Sequence, residues 1–134
     1  MKQNNFDCQD YVIEYDRLRC DDVMFHKGTF TKSIGHLIPV VCGRGSDAVC
    51  VGTGMLEECD QGIVATCTFN NTELGRICKE VYLNTDELRL SCAIYRIKRD
   101  GKNITDGYIP AIYVITKTMA FTYEEEKLED ADVQ

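Results

Sequence analysis

The chain has no tryptophan, two prolines and two histidines among 134 residues. Each shortage excludes something. With so few imidazoles and no C-x-x-C pair among the eight cysteines, zinc-ligand spacing is missing, so no metal and no cofactor is expected. No stretch approaches the roughly 20 consecutive apolar residues of a membrane-spanning helix, so no membrane partner is expected. Residues 1–10 are polar and lack the apolar centre of an export signal, which points to a reducing cytoplasm. Basic residues are outnumbered 15 to 22, and the net charge of -7 argues against nucleic acid as a partner.

What is present fits one domain. A chain of this length buries roughly two thirds of its unfolded surface. Cys42, Cys50, Cys67, Cys78 and Cys92 sit inside apolar runs, where a free thiol acts as a small hydrophobe. Cys8, Cys20 and Cys59 lie in polar segments and are better placed for later cross-linking. Scattered spacing without an export signal leads us to expect eight reduced thiols inside the cell.

The chain is organised around Leu37-Ile38-Pro39-Val40-Val41-Cys42-Gly43-Arg44-Gly45, an apolar strand entering a glycine-flanked corner that presents one large polar side chain. Pro39 places this strand at an edge or a bulge. Before it, residues 10–18 alternate as a half-buried strand with Tyr11, Ile13 and Tyr15 on one face. Residues 24–33 lead into a short helical turn that Gly35 ends. After the corner at 43–47, residues 49–56 and 63–69 form a hairpin across the turn 57–62.

The clearest helix follows: Thr72 is its N-cap, Glu73 suits its positive start and Asn84 its stop. Leu74, Ile77, Cys78, Val81 and Tyr82 make its apolar stripe. A strand over 87–98 puts Leu88, Leu90, Cys92 and Ile94 on one face and Ser91 on the other, beside Arg89. After the turn Asp100-Gly101, a last strand over 108–118 is interrupted by Pro110. The run Glu124-Glu125-Glu126-Lys127-Leu128-Glu129-Asp130-Ala131-Asp132 reads as a solvated acidic tail. The elements describe an α+β domain with a sheet dominant enough to close or nearly close.

Little of this carries chemistry by itself. Gly43-Arg44-Gly45 is no phosphate cradle, and Gly52-Thr53-Gly54 lacks the third glycine and following helix of a dinucleotide site. Ser91 carries no signal alone, since a strand serine is usually just a serine. His36 after Gly35 reads as a helix-end cap.

The order of segments, however, resembles a family. Leu37 to Arg44, the hairpin ending in Cys67-Thr68-Phe69-Asn70, the helix from Thr72 and the pair Leu90-Ser91 are similar to the head maturation (prohead) serine proteases of tailed phages, whose fold is related to herpesvirus assemblins. The resemblance spans residues 6 to 115. It is most specific over 62 to 91, with the turn Gly62, the run of form CTFN-x-TE-x-G and the Leu-Ser of the nucleophile strand. It implies a small closed or partly open antiparallel β-barrel flanked by helices, with Ser91 at the nucleophile position. It also implies a histidine base four residues past the proline and one further on, which is Arg44 here. A carboxylate is implied within a segment of form G-x-I-x-Glu-Val-Ser; Gly107-Tyr108-Ile109-Pro110-Ala111-Ile112-Tyr113 fits that form, with Ala111 at the carboxylate.

Two of three catalytic positions are thus substituted. A serine hydroxyl is a poor nucleophile until a neighbouring base takes its proton. Arginine stays protonated and cannot serve, and alanine cannot orient an imidazolium. His36 lies eight residues before Arg44, up to about 26 Å along an extended strand. The resemblance therefore implies a catalytically inactive prohead protease-like phage protein with a structural role in head assembly: capsid-associated, a decoration protein or an assembly partner. Its partners would be phage capsid proteins or a second copy of itself, in the host cytoplasm and then in the virion. Two alternatives stand beside it: an active maturation protease using Ser91, and a generic protein-binding domain of prophage origin. The expected division is a flexible segment 1–9, one domain over 10–119 and the tail 120–134.

Overall fold

The computed structural model describes residues 6–19, 22–43 and 45–116, and the acidic tail lies outside them. Strand β1 (Cys8–Glu14) opens the fold two residues earlier than the alternation placed it. It is followed by β2 (Met24–Phe25), a short 3-10 turn Thr31–Ser33, β3 (Leu37–Cys42), a second 3-10 turn Gly45–Asp47, and β4 (Val49–Glu58). Then come β5 (Gly62–Phe69), helix α1 (Glu73–Asn84), β6 (Leu88–Cys92), β7 (Tyr95–Asp100), β8 (Asn103–Tyr108) and β9 (Ile112–Thr116).

Six strands form one sheet in the order β1-β5-β4-β3-β9-β6, and β2-β8-β7 form a second, three-stranded sheet. The six-stranded sheet curls until its outer strands nearly meet. Asp10 of β1 bridges the remaining gap, its Oδ2 accepting from the Leu90 N–H of β6 at 2.8 Å and from the Tyr82 hydroxyl of α1 at 3.0 Å. The structure is thus mostly β, with a nearly closed barrel and, among the described residues, one α-helix. It is also not wholly antiparallel: β3 runs parallel to β9, and β2 parallel to β8.

Alternation explains the barrel's interior. Val40, Leu56, Ala65, Cys67, Leu90 and Ile112 are all fully buried, and each removes apolar area worth about 25 cal/mol per Å². Pro39 is tolerated because β9 begins to pair with β3 only at Val40, and a bulge follows between Val40 and Val41. A second bulge, between Tyr11 and Ile13, breaks the single face expected of β1: Ile13 and Tyr15 are buried while Tyr11 is 52% exposed.

Helix α1 begins as its sequence dictates, with the Thr72 hydroxyl accepting from the Gly75 N–H at 3.1 Å. It packs on β4, β5 and β6. Cys78 is buried and Leu74 half-buried, but Ile77 faces outward, so the apolar stripe is narrower than its spacing implied.

The expected strand 87–98 is two strands in different sheets, β6 and β7, separated at Ala93-Ile94. The expected strand 108–118 starts only at Ile112, because Tyr108 ends β8 and Pro110 supplies no N–H for a ladder. The three-stranded sheet packs around Phe25 and Phe30, whose rings meet edge to face at 5.1 Å. Gly107 of β8 lets Phe30 lie against it; a Cβ there would stand 2.3 Å from the ring.

Candidate functional site

Ser91 pairs with Tyr113 of β9, Tyr113 with Val41 of β3, and Val41 with Cys50 of β4, so the four residues form one row across the barrel. Leu90 and Cys92 on either side of Ser91 are fully buried. Alternation therefore turns Ser91 to the opposite face, as expected beside Arg89. It is nonetheless only 6% exposed, and it and Tyr113 are each engaged with partners.

Ala111 lies just before β9, where its carbonyl accepts from the Ala93 N–H at 3.1 Å. It stands two residues from Tyr113, roughly 7 Å along the chain from Ser91's row, with a methyl group at the position where the resemblance implies a carboxylate. Arg44 is outside the described residues. Its flanks are not: Gly43 and Gly45 have φ of 95° and 57°, values that favour glycine. A Cβ on Gly43 would lie 2.7 Å from the Asp47 carbonyl, so the corner closes tightly on itself. Before it, Cys42 pairs with Val114, the residue opposite Leu90.

Neither histidine belongs to this row. His36 is exposed and precedes Leu37, which pairs with Met55 at the far end of β3. Five residues separate His36 from Val41, roughly 16 Å of strand. His26 is held elsewhere, with Nδ1 2.6 Å from Asp16 Oδ1 and Nε2 2.6 Å from Asn103 Oδ1. The carboxylate that does approach β6 is Asp10, which bonds the backbone beside Ser91 and raises the Tyr82 hydroxyl's pKa, second to burial. Among the described residues the row therefore holds the Ser91 hydroxyl, the Tyr113 phenol and the Cys50 thiol, with neither imidazole nor carboxylate in it.

Polar chemistry concentrates instead where β1, β2, β8 and the β4–β5 turn meet. The Tyr15 hydroxyl donates to Glu58, whose Oε2 also accepts from the Gly28 N–H at 3.1 Å. Burial and that carboxylate push the Tyr15 phenol up. Lys27 Nζ lies 2.8 Å from Asp60, and His26 joins Asp16 to Asn103.

Cys59 sits in the same turn. The Tyr11 hydroxyl, 3.5 Å from its sulfur, and the N–H groups of Gln61 and Gly62 hold this thiol below the ordinary cysteine range. Cys78 is the opposite case: burial and the neighbouring Cys42 push it up to about 12. Among the described residues no group of three or more His, Cys, Asp or Glu converges as a metal site. An open groove of about 440 Å³ runs along α1 past Phe69, Asn70, Arg76, Lys79 and Leu83, and Ser91 is not part of it.

Sequence reasoning missed Asp10 and the His26 junction. Asp10 had one signature, a carboxylate on the strand face that also carries Cys8 and Val12. The partners of His26 lie 10 and 77 residues away and left no local trace.

No family model, no curated protein and no solved structure matches the chain.

Proposed function

We propose that this chain is a catalytically inactive, prohead protease-like protein of a tailed phage, retained for a structural role in head assembly. The observation that carries this reading is the Ser91 row: a hydroxyl 6% exposed, with both imidazoles of the chain elsewhere, and with Ala111 where the resemblance implies a carboxylate. A serine needs a neighbouring base to be activated, and among the described residues neither imidazole lies in its row. Association with capsid proteins or with a second copy is supported by the outer face of the three-stranded sheet. There Tyr95 and Tyr108 stand directly opposite each other at 49% and 45% exposure, with Ile97 beside them at 51%. Strand β7, which carries two of the three, is an edge strand. The protein would act in the host cytoplasm during assembly and stay with the capsid.

Two measurements test the reading. The protein is incubated with a serine-reactive fluorophosphonate and with a capsid precursor, beside a Ser91→Ala control. No Ser91-dependent labelling or cleavage is expected, and either one would make the chain a working protease. The intact chain is also sought by mass spectrometry in purified proheads and virions. Stoichiometric presence is expected, and absence from both particles would leave only a protein-binding domain of prophage origin.

A further inference from the structure

We propose that His26 is a proton-operated clasp that docks the three-stranded sheet onto the barrel, closed when the imidazole is charged and loosened when its second proton leaves. The inference stands apart from the assembly reading and rests on the junction's geometry.

His26 directly follows β2, and its ring spans two elements. Asp16 lies just past β1 in a left-handed conformation, φ 59°, with its own N–H donating to the Phe25 carbonyl at 2.8 Å. Asn103 opens β8 and pairs with Met24, whose N–H donates to the Lys102 carbonyl at 2.7 Å. The ring thus joins the end of the first barrel strand to the start of the central strand of the other sheet. Both of its nitrogens face oxygens, at 2.6 Å each. Only the doubly protonated ring donates at both positions; a neutral ring has one N–H and one lone pair. Loss of the proton therefore breaks one bond or forces the Asn103 amide to turn over.

The other charges nearby are already committed. Lys27, next in the chain, is turned to Asp60; Lys102, beside Asn103, reaches Asp22 at 3.8 Å; Glu58 is held by Tyr15 and Gly28. Among the described residues Asp16 is the one carboxylate bonded to the ring. The His26 side chain is 36% exposed, so its proton exchanges with solvent. Asn103 and then Asp16 raise its pKa above the ordinary imidazole value of 6.5, and burial only partly opposes them. For a group with a raised pKa, the stabilisation is complete below the ordinary value and is lost as pH rises through the elevated one. The clasp closes on acidification and opens on the alkaline side.

The test follows the His26 ring by NMR across pH while measuring exchange of the Asp16 and Met24 amides against Asn70, whose N–H bonds Val51 in the barrel. After correction for intrinsic exchange, opening at Asp16 and Met24 should rise by up to about tenfold per pH unit through the His26 titration, and Asn70 should not follow. His26→Gln should flatten the dependence, and Asp16→Asn should lower the His26 pKa. A His26 that titrates at or below 6.5 overturns the proposal. So does a pH dependence that survives in His26→Gln. Should that variant not fold, the ring titration of the unaltered protein decides alone.

Discussion

In the Ser91 row the barrel holds a hydroxyl between Leu90 and Cys92 at 6% exposure, in line with Tyr113, Val41 and Cys50, and brings it no imidazole. At the junction of the two sheets, an imidazole, three carboxylates, a lysine, a phenol and a lowered-pKa thiol are brought together from residues 15–27 and 58–60, most of them bonded in pairs. The first region is where a resemblance to proteases would put chemistry; the second is where the side chains put it. Placement of a nucleophile by a fold is not activation. Activation needs a proton acceptor in reach, and among the described residues both imidazoles lie outside the Ser91 row.

Several changes would break or sharpen that contrast. The largest is kinetic. Cys59, near the junction, should alkylate at least about a hundredfold faster than Cys78 in the native protein, because the thiolate is the nucleophile and burial keeps Cys78 protonated. Mass-spectrometric labelling time courses check it; equal rates would mean Tyr11 and the two backbone N–H groups do not favour the thiolate.

Next is Gly107→Ala, which drives a methyl group into the fully buried Phe30 ring. It should cost about 3 kcal/mol in denaturant unfolding and loosen the three-stranded sheet before the barrel. Asp10→Ala leaves the Leu90 N–H without its acceptor and the Tyr82 hydroxyl with the Gln9 carbonyl alone, at 3.1 Å. About 2 kcal/mol is expected, with faster amide exchange along β6.

Ser91→Ala should cost no more than about 1 kcal/mol, the worth of one ordinary hydrogen bond. Smallest is Asp16→Asn. The pair is largely solvent-exposed, with Asp16 at 73%, so solvent screening limits the loss to about 0.5 kcal/mol at pH 6. The loss should vanish at high pH, where the ring is neutral in both proteins.

Much of the barrel was legible because its cues are local. The bounds of β3 and α1 follow from an apolar run before a glycine corner and from Thr72 with its 3.6-residue period. The β4–β5 hairpin follows from two alternating runs around 57–62. Strand β8 escaped because its inward positions are Ile104 and Gly107, and a glycine has no side chain to mark a period. The apparent continuity of 87–98 hid a break at Ala93-Ile94, since both halves alternate and nothing in their composition says that they serve different sheets. Ser91's orientation was readable from alternation. Its burial and the place of His26 were not.

The sequence alone determined the local vocabulary: where a helix can start, where a strand must bend, and that Arg44 and Ala111 carry neither base nor acid. Tertiary structure decided which residues meet. The parallel pairing of β3 with β9, the closure by Asp10 across 80 residues and the reach of His26 to Asn103 across 77 all join distant segments. Such contacts repay the entropy of closing long loops only once the whole sheet has formed, so no short window of the chain can announce them.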